Sequence, residues 1–202
     1  MDDTPVSDQS REGNEPVLIE RSQGGDLAAF DQLVLRHQQE VFAVAIRMLG
    51  NREEAQDVAQ DVFVRAFRAI GSFRREAKLS TWLVSITMNL CRNRRRWWAR
   101  RKRVIAASLD EPVETEEGAS GREIADPSPT PAETAEQRER QRQVAATLQI
   151  LSEAERTVIV LRDLQGYSYE EIAQVLRCRV GTVKSRLSRA RVQLRALLDG
   201  KL

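Results

Sequence analysis

Between Thr182 and Arg189 the chain reads T-V-K-S-R-L-S-R, hydroxyls and cations with an apolar residue at every fourth place. At helical period Val183, Leu187, Ala190 and Leu194 fall on one stripe. The opposite surface carries Thr182, Ser185, Ser188 and Arg189, flanked by Lys184 and Arg186. Hydroxyls and amides contact phosphates, and an arginine fork matches the acceptor edge of guanine in a major groove. The chemistry on offer is recognition of duplex DNA. The plainer alternative is an amphipathic helix with a solvated basic face.

Just upstream, Ser168 and Glu171 have the S-x-x-E spacing of a capping box, with Tyr167 and Ile172 placed as a hydrophobic staple. They predict a helix that buries Ile172, Val175 and Leu176, ends near Arg177-Cys178, and hands over through Val180-Gly181 to a second helix opening at Thr182. The pair reads as a helix-turn-helix whose second member reads DNA.

Two other helices carry polar faces with a purpose in view. The helix after the loop Phe73–Ser80 buries Leu83, Ile86 and Leu90 and turns Ser85, Asn89, Arg92 and Arg96 outward. With the loop's aromatic and cations, that face suits a separated DNA strand with unstacked bases. Trp97 and Trp98 offer stacking surfaces, although Trp82 and Trp97 are expected in the core. On the helix before it, Val64 stands opposite the buried stripe among Asp57, Gln60, Asp61 and Arg68, with Phe63 and Phe67 at the stripe's edge. Carboxylates around an exposed valine suit a protein partner of basic and apolar character; an ordinary surface with one stray valine is the alternative.

Catalysis finds no footing. No phosphate-cradling glycine loop, zinc-protease motif or nucleophile elbow occurs, and carboxylates concentrate where nothing holds a pair in fixed geometry. The one histidine, His37, shares a stripe with Phe30, Val34 and Val41 and reads as a core-edge residue. Cys91 and Cys178 read as small buried hydrophobes rather than a disulfide or metal pair. No enzyme activity, cofactor or metal is expected.

High charge density and few aromatics in 202 residues favour two small helical domains over one large core. The formal net charge of +2 hides a basic block, Arg92–Arg103, and an acidic one, Asp110–Glu136. The expected organisation is all-α: a disordered N-terminus 1–15, a helical bundle 16–105, an acidic flexible linker 106–131 punctured by Pro112, Pro127, Pro129 and Pro131, and a helix-turn-helix domain 132–202. No apolar run resembles a signal peptide or spans a membrane, so a soluble, cytoplasmic protein without membrane insertion is expected.

Four stretches in this order, GGDLAAFDQLVLRHQ, NREEAQDVAQDVFVRAFRAI, SFRREAKLSTWLVSITMNLCRNRRR and LSEAERTVIVLRDLQGYSYEEIAQVLRCRVGTVKSRLSRAR, resemble the bacterial RNA polymerase sigma factors of the extracytoplasmic-function type, in the sigma-70 family. The resemblance implies a region 2 bundle that binds core polymerase and reads the minus-ten element as opened strand. It also implies a region 4 helix-turn-helix that reads the duplex minus-thirty-five element. Core contact would fall on Asp57, Gln60, Asp61, Val64 and Arg65. The opened strand would meet Phe73, Lys78, Ser80, Trp82, Asn89 and Arg92, and the duplex Gly181, Lys184, Ser185 and Arg189. Core RNA polymerase and promoter DNA are the implied partners, and an anti-sigma factor is a further one that the family allows.

The chain departs from the family's usual pattern at several places. Arg177-Cys178-Arg179 stands where Gly-Cys-Pro is frequent, so the turn loses a residue suited to positive φ, while Arg179 gains the chance of a phosphate contact. Arg75 and Leu79 replace a common glycine and phenylalanine in the loop, and Asp61 a common glutamate. Two competitors remain in view. A free-standing helix-turn-helix regulator would use the Asp57–Arg68 helix to line a pocket, and a helical nuclease would need a rigid carboxylate cluster.

Overall fold

A computed structural model describes residues 14–108 and 135–199, and among them eight α-helices and no strand. The N-terminal residues up to 13 and most of the expected linker, from 109, lie outside the described residues.

Local signals in the sequence account for most helix ends. Helix α1 (Glu15–Gln23) has Pro16 in its first turn and stops at Gly24. Asp26 then caps α2 (Leu27–Leu49), accepting from the Ala29 amide at 3.1 Å, and Gly50 ends it at φ 73°. Asn51 caps α3 (Arg52–Ala69) by accepting from the Glu54 amide at 2.9 Å. A short 3-10 turn, Ile70–Ser72, and the loop to Lys78 lead into α4 (Leu79–Ser108), which starts inside the expected loop Phe73–Ser80 and runs past residue 106, where the linker was expected to begin. Helices α2, α3 and α4 close over Leu33, Val44, Met48, Ala55, Val58, Val62, Leu83, Val84 and Cys91, each buried. Each large aliphatic side chain so buried contributes about 1.5–3 kcal/mol.

The second half comprises α5 (Ala135–Ile150), α6 (Glu153–Ile159) with a π-helical turn Val160–Leu164, α7 (Tyr169–Leu176) and α8 (Val180–Asp199). The expected capping box forms at Ser168/Glu171, and another, with the same S-x-x-E spacing, at Ser152/Glu155. Leu148, Val158, Leu161, Ile172, Val183, Leu187 and Ala190 make its core. Helix α8 opens at Val180, two residues before Thr182, because Thr182 and Val183 already donate to the Arg179 carbonyl.

The two halves pack together into one contiguous apolar cluster. Arg156, fully buried in α6, is the main polar link. Its guanidinium has five N–H groups, and all five find acceptors: the carbonyls of Leu148 (2.6 Å), Gln149 (2.6 Å), Leu151 (3.1 Å) and Met48 (2.8 Å), and Gln149 Oε1 (2.6 Å). Gln149 Nε2 donates to the Arg47 carbonyl at 3.1 Å. A cation at the C-terminal carbonyls of α2 also complements the helix dipole.

One expectation about the core is overturned. Trp97 is 42% exposed. Its stripe on α4 is helical as expected, but α4 outruns its neighbours: the last buried residue described on it is Cys91, and beyond Arg95, which donates to the Met48 carbonyl at 3.3 Å, every side chain described on it is exposed. Trp82 does pack against the core.

Candidate nucleic-acid interface

Helix α8 is held by Val183, Leu187 and Ala190 so that its polar face points out. Gly181, Lys184, Ser185, Ser188 and Arg189 are exposed, Thr182 and Arg186 are half-buried, and Arg179 in the turn is exposed. Ser185 Oγ donates to the Thr182 carbonyl at 3.1 Å and Arg189 Nε to the Ser185 carbonyl at 3.3 Å, so both side chains lie along the helix until a better acceptor arrives. Lys184 Nζ lies 5.5 Å from the Tyr169 ring centroid, a cation–π contact that aligns α7 with α8. Asp163, in the π-helical turn, takes Arg191 Nε at 3.0 Å, so that arginine is spoken for.

The turn between these helices confirms the cost anticipated from its sequence. Arg177 caps α7 at φ 51°, ψ 49°, the left-handed region that glycine enters freely. Arg75 does the same at φ 59° in the loop before α4.

That loop is closed in this structure. Phe73 is only 8% exposed, its ring 5.0 Å from Trp82, and Gln23 Nε2 donates to its carbonyl at 2.9 Å. Arg74 and Arg75, rather than the aromatic, form the loop's surface. Lys78 Nζ is 3.1 Å from Glu171 Oε1 on α7, and Ser80 is half-buried. On α4, Asn89 and Arg96 are exposed, while Arg92 Nε donates to Glu153 Oε1 at 2.9 Å. The loop and α4 of the first half therefore face α6 and α7 of the second, joined by ion pairs across their boundary.

The polar face of α3 is free. Asp57, Gln60, Asp61, Val64 and Arg65 are exposed, with Val64 at 48%. Among the described residues Asp57 is the one of the five in an ion pair, with Arg94 Nη2 at 3.4 Å. Phe67 leans edge-on against Phe30, centroids 5.2 Å apart. The cavity on the inner side, lined by Phe30, Leu33, Phe63, Trp82 and their neighbours, is about 10 Å³. That is room for about one water.

Sequence reasoning missed two polar groups. Arg156 carried a signal: it sits three and four residues before the buried Ile159 and Val160, on the apolar side of α6. The second is a network at the boundary of the halves. His37 Nε2 lies 2.9 Å from Glu15 Oε2 and its Nδ1 3.7 Å from Glu40 Oε2, and Tyr167 donates its hydroxyl to Glu40 Oε1 at 2.6 Å. Burial disfavours the imidazolium, but hydrogen bonds to Glu15 and then Glu40 outweigh it and lift the His37 pKa to about 9. Burial and then the bond to Glu40 push the Tyr167 phenol well above its ordinary range.

Residues 33–103 match the family model for Sigma-70 region 2, and residues 141–194 that for Sigma-70 region 4. The chain belongs to the RNA polymerase sigma factor family. It is 39% identical to the RNA polymerase sigma-H factor of Pseudomonas aeruginosa over 86% of this chain and 88% of that one. It is 38% identical to the ECF RNA polymerase sigma-E factor of Escherichia coli over 90% and 93%. Among solved structures, the sigma factor RpoE of Bartonella quintana in complex with the anti-sigma factor NepR superposes with a TM-score of 0.65 at 28% identity, over 84% of this chain and 96% of that one. Region 2 thus spans most of α2 through most of α4 of this sigma factor, and region 4 runs from within α5 through most of α8.

Proposed function

We propose that this sigma factor joins core RNA polymerase through the exposed face of α3 and directs promoter-specific initiation. Asp57, Gln60, Asp61, Val64 and Arg65 make the core contact. Lys78, Ser80, Asn89, Arg92 and Arg96 engage the opened minus-ten strand, with Trp82 and Phe73 shaping the loop. Arg179, Gly181, Thr182, Lys184, Ser185, Arg186 and Arg189 read the minus-thirty-five duplex. The observation that carries the reading is the pairing of a free, acidic and apolar face on α3 with an outward reading face on α8. Nucleotidyl transfer belongs to the polymerase, and the sigma factor acts in the cytoplasm without an enzymatic step of its own.

Lys78 and Arg92 are each held by a carboxylate of the second half. Engagement of both promoter elements therefore separates the halves, an opening driven by core polymerase. An anti-sigma factor, the partner class seen with the Bartonella quintana protein, would act on this sigma factor by opposing that opening.

The test is run-off transcription with purified core polymerase. Promoter-specific RNA is expected only when the sigma factor is added, and an insertion of roughly five base pairs, half a duplex turn, between the two elements should abolish it. Promoter occupancy without polymerase and indifferent to spacing would instead identify a free-standing regulator.

A further inference from the structure

Arg92, Arg94, Arg95 and Arg96 crowd one stretch of α4, and each is directed elsewhere. Arg92 pairs with Glu153, Arg95 Nη1 donates to the Met48 carbonyl at 3.3 Å, and Arg96 is exposed. Arg94 lies about 200° around the helix from Arg92, so it turns away from the face proposed to meet the opened strand and toward α3. There its Nε is 2.8 Å from Glu54 Oε2, and its Nη2 donates to Asp57 Oδ2 at 3.4 Å. Among the described residues, these are the ion pairs between α3 and α4.

The two carboxylates differ in what is left to them. The Glu54 side chain is 21% exposed and that of Asp57 63%, so Glu54 is the anchor and Asp57 the group on offer. Three residues apart on one helix, they repel each other, and the guanidinium between them offsets that repulsion. Its planar fork holds an oxygen of each at once, while the other lone pairs of Asp57 stay open to an incoming donor. A pair this exposed adds little to folding, and α3 and α4 already close over the buried Val58, Val62, Leu83 and Cys91. What the pair sets is the orientation of one carboxylate.

We propose that Arg94 is a positioning residue for the polymerase contact: braced by Glu54, it holds the Asp57 carboxylate in one orientation before core polymerase arrives. The inference rests on the α3 contact proposed above. It makes α4 part of the polymerase site through a residue that itself touches no polymerase. A free aspartate loses rotamer freedom when a partner captures it, and a carboxylate already held removes that part of the cost of association.

The experiment titrates core polymerase with the full-length sigma factor and with Arg94→Ala, Asp57→Ala and the double variant, reading affinity and dissociation rate. Arg94→Ala should weaken binding about 2–5-fold, the range of an exposed ion pair, through faster dissociation. Beside Asp57→Ala the same substitution should change nothing, because the two residues act as one unit. Glu54→Gln, which removes the brace, should copy Arg94→Ala. Arg94→Lys should stay weak, since one ammonium cannot hold both carboxylates in a fork. Unchanged or tighter binding by Arg94→Ala, a loss that persists beside Asp57→Ala, normal binding by Glu54→Gln, or full recovery with lysine would each overturn the proposal. If Asp57→Ala alone binds polymerase normally, the Asp57 contact proposed above fails, and the role of Arg94 with it.

Discussion

Arg156 reaches across 108 residues of sequence to donate from Nη1 to the Met48 carbonyl at 2.8 Å, tying the second half of the molecule to the end of α2. The same guanidinium serves the last carbonyls of α5, so one side chain closes two helix ends. Replacing it with leucine removes the side-chain donors of the Leu148, Gln149 and Leu151 carbonyls, while the Met48 carbonyl keeps Arg95 Nη1 at 3.3 Å. At about 1–3 kcal/mol for each unsatisfied group, Arg156→Leu should cost at least about 3 kcal/mol in urea unfolding. A loss under about 1 kcal/mol would mean that water or backbone shifts satisfy those carbonyls. Arg156→Lys should recover little, because an ammonium cannot reproduce the planar five-donor fork.

The network around His37 makes stability depend on pH. Its folded-state pKa of about 9 lies above the ordinary 6.5, so the folded state holds a proton that the unfolded chain has released between those values. The stabilisation is complete below about pH 6.5 and disappears as pH rises through about 9. Its size is on the order of 3 kcal/mol. Thermal melts of the wild type should fall across that window, and His37→Gln should flatten the fall. Equal slopes in both proteins would remove His37 from the account.

Arg177 sits in the left-handed region at φ 51°, where glycine pays no steric penalty. Arg177→Gly should raise the stability of the helix-turn-helix by about 0.5–1 kcal/mol, the steric gain exceeding the entropy that glycine adds to the unfolded chain. Arg177→Val should lower it, since a β-branched residue tolerates that region least. Differential scanning calorimetry of the three proteins decides the order.

Asp61 is exposed on α3, and among the described residues no ion pair ties it to the fold. Asp61→Arg should therefore melt within about 0.5 kcal/mol of the wild type yet fail to co-elute with core RNA polymerase. Normal co-elution would move the polymerase contact off this face.

How much of this was legible in the sequence follows from the range of each interaction. Asp26, Asn51, Ser152 and Ser168 cap helices three residues or fewer from their partners, and each was readable because cap and amide are neighbours in the chain. The outward set on α8 was readable for the same reason, its stripe being set by Val183, Leu187 and Ala190 nearby. Trp97 was misplaced because periodicity gives the face of a helix but not the length over which a neighbour covers it. Phe73 turned inward onto Trp82, a packing partner chosen by the loop's path. The ion pairs Lys78–Glu171 and Arg92–Glu153 join residues far apart in the chain, and no local pattern announces them. Candidate positions could therefore be named by type and spacing, while the ion pairs that hold Lys78 and Arg92 could not.

Gly50 has a consequence for the balance between conformers. Its φ of 73° would tax any side chain in every state of the molecule, but a Cβ there would also lie 2.8 Å from Gln149 of the second half. Gln149 cannot swing aside freely, since its amide is bonded to the Arg47 carbonyl at one end and to Arg156 at the other. The first penalty is shared by joined and separated halves and cancels between them; the second falls on the joined form alone. On the opening proposed above, Gly50→Ala is thus a thermodynamic bias toward separated halves by the energy of that clash.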